Sequence, residues 1–264
     1  MANLSRIINP ALSSINKVIK RYKILEKNSG LVVGVSGGSD SLVLLYLLCE
    51  YNEKFNQNYE IYACHIRPDF PDWNTGFIEN YCKWLEIPCK IINIKIDSRL
   101  QSVEKKCFFC SRQRRRKLLE YAESLNIFKV ALAHHLEDVV ETFLLNVIYN
   151  GEISTIVPSQ SVIQGRFSFV RPIYYLDKKI IDSIARVLNI PVNLNKCPYY
   201  QISKRQKIRN FLNDISIEYP EENDFISNQI YENIKNIYDK ILLALKNSEK
   251  ILPVINGVNI AIVG

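Results

Sequence analysis

The sequence predicts an α/β fold, a parallel sheet with helices on both faces. Three observations carry that expectation. The apolar run Val32-Val33-Gly34-Val35 breaks into Ser36-Gly37-Gly38-Ser39-Asp40-Ser41 and resumes as Leu42-Val43-Leu44-Leu45, the pattern of a buried strand, a glycine turn and a helix start. Short apolar segments then alternate with segments of helical period down to about residue 147. With 47% hydrophobic residues among 264, the chain can bury a real core in one or two domains.

In chain order, Asn9-Pro10 predicts a helix start, Asn9 capping and Pro10 at the first helical position, where its missing N–H costs nothing. Leu12, Ile15, Ile19 and Tyr22 follow at helical spacing. The helix after the glycine turn is apolar all round over 42–49 and should be buried. Strands are expected over 59–66, 89–96 and 128–133, and helices over 76–85, 112–124 and 137–147. Residues 148–165 read as a long surface loop. Helices are expected over 177–188, 201–212 and 224–246, and Asn256-Gly257 predicts a hairpin in the apolar tail 251–263. The domains implied are an N-terminal helical segment, 1–27, a nucleotide-binding domain, 28–200, and a helical C-terminal extension with a short apolar tail, 201–264.

No run approaches the roughly 18 apolar residues of a membrane span, and residues 1–27 lack the apolar centre of a signal peptide. A cytoplasmic address is expected, with no membrane partner. Seven cysteines are too few for a disulfide scaffold, so any special cysteine is a ligand or a nucleophile. The formal charge of +7 favours a polyanionic partner. Its distribution says more: Lys105, Lys106, Arg112, Arg114, Arg115, Arg116 and Lys117 fall in one stretch without an acidic residue.

The glycine turn suits a phosphate. Ser36, Gly37 and Gly38 let the backbone turn sharply with its N–H groups bare, and a helix beginning near Asp40 aims its positive end at the same spot. Neither the Walker A spacing nor the dinucleotide Gly-x-Gly-x-x-Gly spacing is present. The stretch resembles instead the Ser-Gly-Gly-x-Asp-Ser signature of the PP-loop ATP pyrophosphatases, which split ATP into AMP and pyrophosphate by adenylating a substrate oxygen.

Cys107-Phe108-Phe109-Cys110 is the second anchor. Its spacing lets two thiolates reach one metal centre, serves a redox dithiol equally well, and suits two buried thiols beside phenylalanines. The neighbouring arginines favour the thiolate. Cys197, in Asn195-Lys196-Cys197-Pro198-Tyr199-Tyr200, is a third candidate, whereas Cys49, Cys64, Cys82 and Cys89 lie within predicted elements and read as core. Three thiolates leave one position of a metal centre open. His134-His135 tempts a metal reading, but adjacent residues of a strand point to opposite faces.

Ser36-Gly37-Gly38-Ser39-Asp40-Ser41, Cys107-Phe108-Phe109-Cys110-Ser111-Arg112, His134-His135-Leu136-Glu137-Asp138 and Arg171-Pro172-Ile173 together resemble the tRNA 2-thiocytidine synthetase family, over about residues 32–219. The resemblance implies an ATP-dependent thiolase that replaces the 2-oxo group of an anticodon-loop cytidine with sulfur. Its cofactors would be ATP, Mg²⁺ and a [4Fe-4S] cluster on Cys107, Cys110 and Cys197. ATP would lie on Ser36, Gly37, Gly38, Ser39, Asp40 and Ser41, with Asp40 taking part of the Mg²⁺. His135, Asp138 and Thr142 fall in the stretch that closes over the nucleotide in PP-loop proteins. Partners would be tRNA and a sulfur donor such as a cysteine desulfurase, with a homodimer as one compatible assembly.

Two departures qualify the match. Tyr200 stands where the family usually has a second cysteine after Cys197, which rules out a four-cysteine zinc site at these positions, and Ser39 stands where it usually has lysine. Arg112, Arg114, Arg115 and Arg116 form one candidate tRNA patch and Lys204, Arg205, Lys207 and Arg209 another, although Arg112 and Arg116 share a helix face that Arg114 and Arg115 do not. Such contacts position RNA and do not specify its sequence. The rival readings are a PP-loop enzyme acting on another base or a small molecule, as lysidine synthetases do without the cysteines, and a non-catalytic RNA- or metal-binding module.

Overall fold

The computed structural model describes residues 2–96, 102–191, 197–199 and 203–218. The expected helix over 224–246 and the tail hairpin over 251–263 lie outside the described residues. The chain divides into two compact units, 1–135 with 158–201 and 136–157 with 202–264.

The first unit carries the sheet. Its elements are α1 (Ala2–Tyr22), β1 (Gly30–Gly34), α2 (Ser39–Lys54), β2 (Glu60–Pro68), α3 (Gly76–Trp84), β3 (Cys89–Ile94), α4 (Val103–Ser124), β4 (Lys129–Ala131), β5 (Ser159–Val162), β6 (Phe167–Val170) and α6 (Lys178–Val187); the helix Leu136–Leu145, α5, belongs to the second unit. The strand order is β3-β2-β1-β4-β6-β5, and every neighbouring pair is parallel except β5 with β6. Leu31, Val32 and Val33 are all fully buried. Because successive side chains of a strand point to opposite faces, both faces of the sheet are covered. On one face Val32, Cys64, Ile66, Val130 and Phe169 pack with Leu118 and Ala122 of α4. Right-handed crossovers then set α2 and α3 on the other face, because β1, β2 and β3 run outward in one direction and β4 returns to the far side of β1. That reversal between β1 and β4 is the place where a doubly wound sheet opens a ligand crevice at its carboxyl end.

Several local expectations are corrected. The first helix begins at Ala2 with Pro10 inside it, and Asn9 accepts from Lys54 Nζ at 2.6 Å instead of capping. Burial of Ile8, Ala11, Leu12, Ile15, Val18 and Ile19 along one face holds the helix through the proline. α4 begins nine residues before its expected start, because Ser102 caps it by accepting from Lys105 N at 3.2 Å. Both Cys107 and Cys110 therefore lie within the helix. The expected loop 148–165 contains β5, which turns into β6 through Ile163 and Gln164, both at positive φ, and Gly165 at 87°. As foreseen, α2 is buried all round; α6 lies within the expected 177–188 but begins at Lys178, with Asp177 capping it as its Oδ1 accepts from Ile180 N at 2.9 Å.

The second unit contains α5 (Leu136–Leu145), a π-helical turn over Asn146–Asn150 and α7 (Lys204–Glu218). Its described helices are tied by charge. Arg209 holds the Glu141 carboxylate through Nε at 2.7 Å and Nη2 at 3.0 Å, and Arg205 donates to Asp138 at 3.2 Å and to Thr142 Oγ1 at 2.8 Å. Among the described residues, no helix is long and apolar enough to cross a membrane.

Candidate active site

The glycine turn connects β1 to α2. Gly37 has φ of 89°, and a Cβ built there would stand 2.8 Å from Phe77 Cζ, so the position requires glycine twice over. Gly38 is the N-cap of α2 and offers no side-chain cap, which leaves the first-turn N–H groups and the dipole end for an anion. Ser41 is buried and braces the turn from inside: its Oγ donates to Gly38 O and accepts from Ser36 N, both at 3.0 Å. Ser36 Oγ in turn accepts from Gly38 N at 3.3 Å. The two serines thus shape the backbone that would meet a phosphate.

Asp40 is the charged group of the turn. Its carboxylate is bonded to Lys178 Nζ, lies 3.8 Å from His135 Nε2, and accepts weakly from Ser39 Oγ at 3.4 Å. Lys178, the first residue of α6, also donates to Ser39 Oγ and is paired with Asp182, each at 2.8 Å. Burial alone would push its ammonium down, but Asp40 and Asp182 outweigh that and hold it above the usual lysine range. Sequence reading missed Lys178, because nothing local marks a lysine 138 residues from its partner.

The three histidines have separate neighbours. His135 is buried beside Asp40, whereas His134 Nδ1 accepts from Arg171 Nε at 3.2 Å. Arg171 is 1% exposed and donates also to Gln160 Oε1 at 3.1 Å, so it braces β5, β6 and the segment after β4. His65, also missed, sits in β2 with Nδ1–H donating to Val35 O at 2.7 Å, while Nε2 accepts from the Trp73 indole at 3.0 Å. Trp73 can only donate, which fixes that tautomer. Burial pushes the His65 pKa below its usual 6.5, and Arg114 and Arg67 add to the effect.

α4 brings Cys107 and Cys110 to one face at a three-residue step, with Arg114 one turn beyond Cys110. Burial pushes both thiols up, and Cys197 raises each further, so the third cysteine faces the same locality. Arg114 opposes the rise, most strongly at Cys110, to which it donates. The segment bearing Cys197 is held to α4 by Lys106, whose Nζ lies 3.3 Å from Tyr199 Oη and 5.1 Å from its ring centre. Phe70 meets the Tyr199 ring edge-on at 6.0 Å and Trp73 at 5.9 Å. A continuous path of contacts therefore runs from Val35, at the turn, through His65, Trp73 and Phe70 to Tyr199.

Among the described residues, no three His, Cys, Asp or Glu side chains converge closely enough to hold a single metal ion. Cys64 and Cys82 are buried, Cys49 and Cys89 half-buried, and burial takes the Cys49 and Cys64 thiols up to about 12. In the basic run, Arg114 turns to the cysteines, whereas Arg112, Arg115 and Arg116 are exposed and Arg116 pairs with Glu120 at 2.7 Å. In the second unit, Arg205 and Asp138 are bonded to each other, and Lys204 Nζ lies 4.8 Å from the Tyr149 ring centre.

The chain is similar to curated proteins named tRNA-cytidine(32) 2-sulfurtransferase. The one from Methylobacillus flagellatus is 27% identical over 81% of this chain and 73% of its own length. That of Polynucleobacter necessarius is 29% identical over 78% of this chain and 70% of its own. The fold is shared with a solved U34-tRNA thiolase, NcsA from Methanococcus maripaludis with its [4Fe-4S] cluster, at a TM-score of 0.68 and 20% identity over 87% of this chain and 79% of that one. It is also shared with NMN synthetase from Francisella tularensis, at a TM-score of 0.51 and 18% identity over 86% and 93%. Residues 9–216, which take in the glycine turn, the cysteine helix and the Cys197 segment, match the PP-loop domain, and the chain belongs to that family.

Proposed function

We propose that the protein is an ATP-dependent tRNA thiolase that replaces the 2-oxo group of an anticodon-loop cytidine with sulfur, at position 32 if it follows the relatives' name. The observation that carries this reading is the contact path joining the glycine turn to the Cys197 segment, with Arg114 bearing electrostatically on both His65 and Cys110. ATP activation and sulfur delivery would need those two regions within reach of one base.

The phosphates of ATP would rest on the N–H groups of residues 37–41, that of Gly38 exchanging Ser36 Oγ for a phosphate oxygen, with Asp40 offering one carboxylate to Mg²⁺, as is usual where phosphates supply other ligands. Attack of the cytidine O2 on the α-phosphorus forms the O–P bond and breaks the bond to pyrophosphate. The base then carries AMP as a leaving group, which departs with the oxygen when sulfur adds at C2. The target cytidine would have to turn out of its stack to reach the site.

Cys107, Cys110 and Cys197 would hold a [4Fe-4S] cluster. α4 carries the first two cysteines on one face, and Lys106 ties the segment of the third to the same helix. When bound, such a cluster with three protein ligands supplies an open iron on which sulfide can be held as the nucleophile. The exposed Arg112, Arg115 and Arg116 would take tRNA phosphates. A cysteine desulfurase is a fitting sulfur source, and the cytoplasm a fitting address.

Metal analysis of anaerobically purified protein tests the reading. Iron with acid-labile sulfide at about four each per chain is the expected result for a [4Fe-4S] centre. Stoichiometric zinc without iron would overturn it in favour of a cluster-free PP-loop enzyme.

A further inference from the structure

We propose that Lys178 is the phosphate-binding cation of the glycine turn, gripping the pyrophosphate portion of ATP from α6. The inference rests on the reading of the turn as an ATP site and does not depend on which substrate is adenylated.

The turn lacks a cation of its own. From Asn28 to Glu53 the sequence contains no lysine, arginine or histidine, and the turn itself offers only the Ser39 hydroxyl beside the Asp40 carboxylate. Amides and a helix dipole stabilise anionic oxygens, but a triphosphate carries several full charges, and an ammonium adds charge-assisted hydrogen bonds that amides alone do not match. Lys178 brings that ammonium to the spot. Its Nζ lies 2.8 Å from Ser39 Oγ and is bonded to the Asp40 carboxylate, so the cation reaches residue 39 in space from 139 residues away in sequence.

Its mounting suits the task. Asp177 caps α6 through Ile180 N, and Ile181 and Ile184 are fully buried, so the residue that bears the ammonium is fixed to the core. The side chain itself is 36% exposed and Asp40 35%, so a ligand can reach both. Asp182, one helical turn along, holds the ammonium at 2.8 Å and keeps it charged. When phosphate arrives, the ammonium can leave Asp40 for phosphate oxygens while staying on Asp182, which frees the Asp40 carboxylate for Mg²⁺. Half-exposed ion pairs add little to stability, so a merely structural role leaves two carboxylates gathered around one lysine without a purpose.

Calorimetric titration of the full chain with ATP and Mg²⁺, with pyrophosphate and with AMP tests this without any RNA. In Lys178→Met, which keeps the apolar stem, ATP and pyrophosphate affinities should fall by about tenfold to a hundredfold, the usual weight of a hydrogen bond to a charged group, while AMP affinity stays unchanged. Lys178→Arg should retain most of the ATP affinity. The exchange Ser39→Lys with Lys178→Met should recover it, because the cation is returned to the same place from the turn.

Unchanged ATP affinity in Lys178→Met, or failure of the exchange to recover it, would overturn the proposal. So would a parallel loss of ATP and AMP affinity, the mark of a misplaced helix; should Lys178→Met unfold, Lys178→Gln gives the same readout. Wild-type protein that binds neither nucleotide removes the ATP reading itself, whereas normal titrations with no thiolated tRNA leave this inference standing and remove only the thiolase.

Discussion

The glycine turn offers a ligand its backbone, whereas α4 offers side chains, and the two regions answer differently to changes in sequence. In the turn, Ser36 and Ser41 are spent on bracing the loop, and what is left for a ligand is the uncapped first-turn N–H groups of α2. The turn therefore takes its shape from Ser36, Gly37 and Ser41 and not from the side chain of Ser39. A cluster held by thiolates would have no such tolerance. Cys107 and Cys110 are placed by one helix, but Cys197 arrives from a segment docked through Tyr199 on Lys106 and Phe70. Backbone sites fail when the conformation fails, and side-chain sites fail one atom at a time.

Breaking the turn alone should give the largest effect. Gly37→Val puts a β-branched residue at φ of 89° with Phe77 too close for its Cβ, so the N–H groups lose their alignment. Pyrophosphate release from ATP should fall by about a hundredfold or more, the scale seen when an aligned donor is lost from a reacting site. Iron content should be unchanged, which would show the cysteine region surviving without the turn. Loss of iron together with ATP cleavage would mean that the two regions are one fold element.

A smaller effect should appear at the bridge between them. His65 is held neutral by burial, between Val35 O and the Trp73 indole. As pH falls through the ordinary 6.5, the unfolded chain takes a proton that folded His65 refuses, so the unfolded state binds more protons. The stability tied to His65 is therefore fully present above that pH and is lost progressively below it. Urea midpoints should drop between pH 7.5 and 5.5, and His65→Gln should flatten part of that drop. An unaltered slope in the variant would exclude His65 from the pH response.

The contrast also explains what the sequence disclosed. The glycine turn and the buried α2 are local patterns of a few residues, and both were legible, whereas the Asp177 cap was not singled out. The start of α4 was not, since Val103-Glu104-Lys105-Lys106 has no apolar period and only the Ser102 cap marks it. The β5–β6 turn was hidden because Ile163 and Gln164 take positive φ without the Asn-Gly that announces such turns. Pro10 suggested a helix boundary, yet burial along α1 outweighed its local preference. Lys178, His65 and Arg171 act on partners 138, 30 and 37 residues away, and only the folded sheet brings them together.

The joint dependence on both regions is tested most directly by anaerobic reaction of the reconstituted protein with unmodified tRNA, ATP and sulfide, scoring thiolated cytidine and pyrophosphate in parallel for wild type and Cys197→Ala. The account predicts that the variant loses thiolated cytidine entirely while its ATP binding and tRNA-dependent pyrophosphate release persist. Undiminished thiolation in Cys197→Ala would contradict it.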